Sequence, residues 1–127
     1  MIRPGGLRRS RRSDDRKARR CFTQKYEKAR VVSVNISDRK GVPKREALEI
    51  RLIAGHGVEG DAHAGAWHRQ VSLLAEESVD RMRGLGLEGL RHGAFGENIN
   101  TIGINLRALP VGARLRVGGA VLEVTQI

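Results

Sequence analysis

Apolar and polar residues alternate in Val31-Val32-Ser33-Val34-Asn35-Ile36. Val32, Val34 and Ile36 fall on one face and Ser33 and Asn35 on the other, which predicts a half-buried strand. Residues 47–53 alternate again: Leu48, Ile50 and Leu52 point one way, Glu49 and Arg51 the other, predicting a second strand. The stretch between them, residues 37–44, holds Gly41 and Pro43 and reads as a loop. Residues 70–74 form a short third strand pattern. Residues 75–83 favour a helix, with Glu76 and Glu77 in the first turn, Arg81 and Arg83 in the last and Gly84 placed to stop it. Val79 and Met82 would face the core at i, i+3 spacing. Residues 113–117 and 120–127 are strand-like and joined by Gly118-Gly119, a hairpin signal because primed turns need positive φ. Glycines crowd residues 54–65 and 84–96, which therefore read as loops. Short strands, long glycine-rich loops and one short helix predict a mostly β domain, a small barrel or sandwich.

Charge divides the chain. Residues 1–30 hold 12 Lys and Arg against 3 acids, while residues 31–127 hold 12 against 11. The basic balance thus belongs to an N-terminal extension, residues 1–28, which cannot bury enough apolar surface to fold alone, and residues 29–127 form the domain. An arm of this kind can contact nucleic acid. A small β-barrel binding module with such an arm is the alternative reading, although few aromatics for base stacking occur after residue 28 (Trp67 and Phe95). The single cysteine, Cys21, lies in the arm and reads as an incidental free thiol. No apolar run has the length of a membrane span and no secretory leader is evident, so a cytoplasmic protein is expected.

Candidate chemistry gathers in three places. The loop Gly55-His56-Gly57-Val58-Glu59-Gly60-Asp61-Ala62-His63-Ala64-Gly65-Ala66-Trp67-His68-Arg69-Gln70 carries three histidines and two acids between strands. Metal binding, and with it a metal-dependent hydrolase, is one reading, through His56, Glu59, Asp61, His63 and His68, but the spacing matches neither the helical H-E-x-x-H pattern nor a Cys/His finger. An anion cradle is a second, with His68 and Arg69 as donors. The turn Phe95-Gly96-Glu97-Asn98 offers a carboxylate and an amide. The rigid turn Lys40-Gly41-Val42-Pro43-Lys44 offers two cations.

Taken in order, these segments resemble one family. Val31 to Ser37, Lys40-Gly41-Val42-Pro43-Lys44, Gly57-Val58-Glu59-Gly60-Asp61-Ala62-His63-Ala64-Gly65, His68-Arg69-Gln70-Val71-Ser72-Leu73-Leu74, Gly93-Ala94-Phe95-Gly96-Glu97-Asn98-Ile99, Leu109-Pro110-Val111-Gly112 and the final hairpin resemble the MOSC domain, the sulfur-handling module of molybdenum-cofactor sulfurases. The resemblance implies a β-barrel similar to the pyruvate-kinase insert domain. It also implies binding of the molybdenum cofactor (molybdopterin) or transfer of sulfur to it from a sulfur donor protein. Pyridoxal phosphate binding is implied in the same way. By resemblance, Lys40, Lys44, Asp61, His63, His68, Arg69, Gln70, Glu97 and Asn98 are the cofactor-binding residues. The family's sulfur-carrying cysteine would lie beyond Ile127, so the domain is expected to be incomplete at its C-terminus, with an open edge, marginal stability and a tendency to associate.

Overall fold

The computed structural model describes residues 2–4 and 29–127. Cys21 and most of the basic arm lie outside the described residues. The elements in chain order are β1 (Ile2–Pro4), β2 (Arg30–Ile36), β3 (Arg45–Ala47), β4 (Leu52–Ile53), β5 (Gly57–Val58), β6 (Leu73–Ala75), α1 (Glu76–Gly84), β7 (Ile99–Ile102), a 3-10 turn (Leu106–Ala108), β8 (Arg114–Val117) and β9 (Ala120–Val124).

The strands form three sheets, ordered β3-β2-β7-β6, β1-β9-β8 and β4-β5. All pairs are antiparallel except β6 with β7. Among the described residues the fold is therefore mostly β with one helix, but no closed barrel forms. The expected pyruvate-kinase-like barrel is not what the hydrogen bonds trace. Closure needs tilted strands in continuous register, and here the strands run to two to seven residues between glycine-bearing loops. Strand β9, where an open edge was expected, pairs with β8 on one side and with β1 on the other.

The centre of the largest sheet is β7, which the apolar pattern did not mark. Its sequence, Ile99-Asn100-Thr101-Ile102, is half polar yet almost wholly buried. Val34 of β2 sits opposite Ile99 and Ser33 opposite Asn100. Alternation therefore gives the β2–β7 pair one apolar and one polar face. The apolar face joins the core of Val58, Val71, Ile99, Leu109, Leu122 and Val124, which the β8–β9 hairpin closes with Leu115 and Val117. Each such side chain, fully buried, contributes about 1.5–3 kcal/mol.

Val34 and Ile36 pack against the core as expected, but the polar face of β2 is buried too, where the pattern had turned it outward. Asn35 is completely buried, while Val31 and Val32 are 40% and 39% exposed. The amides can be buried because they satisfy one another. Asn35 Nδ2 donates to Asn100 Oδ1 at 2.8 Å, Ser33 Oγ to the same oxygen at 2.8 Å, and Asn98 Nδ2 to the Asn35 carbonyl at 3.2 Å.

Residues 47–53 do not make one strand. Pairing stops at Ala47, and Leu48 is fully exposed rather than in the core; Ile50 and Leu52 remain packed against it. The helix forms one residue later than expected, over Glu76–Gly84, with Val79 buried. Its stop is Gly86 rather than Gly84. Gly86 has φ +90°, and the N–H groups of Gly86 and Leu87 close on the carbonyls of Arg83 and Met82. A residue with φ > 0 one position past the cap is what this two-bond ending requires. Among the described residues, no helix is long and apolar enough to cross a membrane.

Candidate functional site

The expected site residues fall into separate groups. The first is built on a buried ion pair. Lys44, at the end of the loop after β2, is 1% exposed and its Nζ donates to Asp61 Oδ1 at 2.7 Å. Asp61 follows the β4–β5 hairpin. It also accepts the Ser37 N–H at 3.1 Å on Oδ1 and the His63 N–H at 3.0 Å on Oδ2. Burial pushes this carboxyl's pKa up, but the Lys44 ammonium and the two backbone N–H groups outweigh that and hold it below the usual carboxylate value.

Lys44 Nζ also lies 3.1 Å from His63 Nδ1. An ammonium can only donate, so Nδ1 is the acceptor and the proton of neutral His63 sits on Nε2. Burial lowers the pKa of His63, and the Lys44 charge lowers it further against the opposing pull of Asp61. The imidazole is therefore neutral at pH 7, with a fixed tautomer and a side chain 26% exposed.

Trp67 completes this group, and the sequence reading had not singled it out. Its Nε1–H donates to the His63 carbonyl at 2.7 Å, and its ring stacks on the His63 ring at 6.3 Å between centroids and 7° between planes. Lys40 Nζ sits 5.3 Å from the indole centroid, and the His68 ring meets the indole edge-on at 6.0 Å. The available signal was an aromatic residue inside a loop otherwise made of small and polar residues.

Glu97 and Asn98 form a second, structural group. Glu97 Oε1 accepts the Phe95 N–H at 3.1 Å and Oε2 accepts Asn100 Nδ2 at 2.8 Å. Asn98 Oδ1 accepts the Ser72 N–H at 3.1 Å. Glu97 is 4% exposed and Asn98 completely buried, and both tie the Gly93–Glu97 segment to the sheet. Arg69 faces elsewhere: its Nε donates to Gln126 Oε1 at 2.9 Å, next to the bond from the Thr125 hydroxyl to the His68 carbonyl at 2.6 Å. Gln70 is buried, donates to the Gly65 carbonyl at 2.7 Å, and leaves its Oε1 without a partner. Two clefts, of about 600 and 530 Å³, are lined by other residues, Leu73, Ser78 and Ile104 in the first and Val34, Ile50 and Val121 in the second.

Among the described residues no three His, Cys, Asp or Glu side chains converge. His56, Glu59 and His68 are exposed, and Asp61 and His63 are committed to Lys44.

The two shifted groups set an acid response. For each, the folded pKa lies below the unfolded one, so the unfolded chain binds more protons and stability drops as pH falls. His63 contributes fully above its ordinary 6.5 and loses its contribution as pH falls from there through the folded value. Asp61 does the same from its ordinary 3.8 downward. Urea midpoints measured across pH are expected to fall in two steps, and His63→Ala is expected to remove the upper one only. A profile with no fall in stability as pH drops below 6.5 would contradict the burial of His63 beside Lys44.

A family model for the MOSC domain matches residues 60–127. No curated protein and no solved structure matches the chain. The matched stretch covers just over half of the 127 residues and runs from the Asp61–His63 loop through the buried Glu97-Asn98 turn to the final hairpin; the chain belongs to the MOSC domain family.

Proposed function

We propose that this domain serves molybdenum-cofactor sulfur chemistry by holding the phosphate-bearing pterin of the cofactor at the loop after β2 and the loop after β5. The observation that carries this reading is the His63 imidazole, held neutral with its Nε2–H free of Lys44, beside the exposed Lys40. A phosphate is recognised by cations and N–H donors, and Lys40 and His63 supply one of each. The fit is selective within the expected set. Lys44 orients His63 rather than meeting a ligand, because its charge is spent on Asp61. Glu97 and Asn98 shape the sheet that supports the loop, because their polar atoms are taken.

When bound, the cofactor supplies the metal to which sulfur is delivered. The described residues bind and orient; they include no thiol, and sulfur carriage is a property of the family rather than of this geometry. The test is to mix the full chain with molybdenum cofactor released from a molybdoenzyme, then measure pterin and molybdenum co-eluting on gel filtration. Retention is expected, weakened about a hundredfold by Lys40→Ala combined with His63→Ala, the scale of two charged hydrogen bonds. A chain that retains neither pterin nor molybdenum sinks the reading.

A further inference from the structure

We propose that the indole of Trp67, with His63 and Lys40 beside it, is a docking face for a flat heteroaromatic ring that carries a phosphate. This deepens the cofactor reading, on which its phosphate contact rests, and adds ring recognition by a residue outside the expected set.

Three observations converge. First, Trp67 is 38% exposed, although a large aromatic surface gains most when covered. Second, the exposed ring is held in place. Its N–H is bound to the His63 carbonyl, it stacks on His63, and His63 is itself gripped by the buried Lys44–Asp61 pair. A rigid indole costs little entropy to use as a stacking surface. Third, Lys40 is exposed and places its ammonium over the ring, 5.3 Å from the centroid. A ring that takes the place of the Lys40 ammonium over the indole keeps that cation at its edge, within reach of its own phosphate. Stacking tolerates any flat π-face, so a purine nucleotide and a pterin phosphate share the required chemistry.

Trp67 is the only tryptophan of the chain, so its fluorescence reads the contact directly in the full-length protein. The probes are GMP, 6-hydroxymethylpterin phosphate, unphosphorylated 6-hydroxymethylpterin and inorganic phosphate. At least one ring phosphate is expected to quench Trp67 saturably, with inorganic phosphate silent; the tighter of GMP and pterin phosphate identifies the source. By equilibrium dialysis, Trp67→Leu is expected to weaken binding about tenfold and Trp67→Phe to restore it to within about threefold. Lys40→Ala is expected to narrow the gap between the phosphorylated and unphosphorylated pterin.

Absence of saturable quenching by either ring phosphate overturns the proposal, as does equal affinity of Trp67→Leu and the unaltered chain. The two readings fail separately. Molybdenum cofactor retained undiminished by Trp67→Leu removes the stacking face and leaves the cofactor reading standing. Quenching by GMP in a chain that retains no cofactor does the reverse.

Discussion

Gly93→Ala is expected to lower stability by about 3–5 kcal/mol, enough to unfold much of the population of a marginal domain. Two causes add. Gly93 has φ +84°, a region that any side chain enters at a cost of about 1–2 kcal/mol. A Cβ there would also lie 2.1 Å from the Lys44 carbonyl oxygen and 2.7 Å from its carbonyl carbon. Neither atom can yield easily. The Lys44 N–H is bound to the Gly93 carbonyl at 2.7 Å, and Arg91 Nη1 grips the Lys44 carbonyl at 2.8 Å. Gly89→Ala is the control: its φ is +71° and a Cβ there meets nothing within 4 Å, so only the strain of about 1–2 kcal/mol is expected. Urea denaturation of both variants measures the difference. Equal midpoints would mean that the Gly93 loop does not press on Lys44.

Lys44→Met is expected to destabilise by a similar amount, about 3–5 kcal/mol, because it strands a buried carboxylate. Asp61 would keep its two backbone N–H partners and lose the ammonium that neutralises it. Adding Asp61→Asn to Lys44→Met is expected to recover part of the loss, since the amide oxygen can still accept one of those N–H bonds without carrying charge. If the double variant is no more stable than Lys44→Met alone, burial of charge is not the source of the loss. The same substitution frees His63 from its cationic neighbour, so the upper acid step in stability is expected to move to higher pH, by the removal of a repulsion that lowers the His63 pKa.

Both predictions concern one junction, where the loop after β2 meets the glycine-rich loop before β7. The candidate site depends on it. Lys44 is held by its backbone to Gly93 and by its side chain to Asp61, and through it His63 and then Trp67 are oriented. A change at Gly93 is therefore expected to reach the docking face without touching it.

The chain pattern located most of this. Nine residues were legible by resemblance to the family, and of these the structure gathers Lys44, Asp61 and His63, with Lys40 and His68 reaching them through Trp67. Trp67 was not legible, because an aromatic in a loop has no periodicity to interpret. Glu97 and Asn98 were legible as a carboxylate and an amide at a turn; what the sequence did not reveal is that Phe95, Asn100, Ser72 and Asn35 pair with them inside the fold. Arg69 was expected in the same group, and its bond to Gln126 takes it elsewhere.

What the sequence by itself determined is local: β2, the helix, the final hairpin and the family to which residues 60–127 belong. Each is set by nearby residues, through alternation, end charges, a glycine turn or ordered motifs. What only the tertiary structure decided is non-local. The polar strand β7 lies at the centre of its sheet because Asn35, Asn98 and Asn100 satisfy one another across β2 and β7, 63 or more positions apart in the chain. Lys44 is buried because Asp61 waits for it 17 residues away. Alternation scores a polar residue as outward-facing, and it has no means of knowing that a partner will arrive from elsewhere to make burial tolerable.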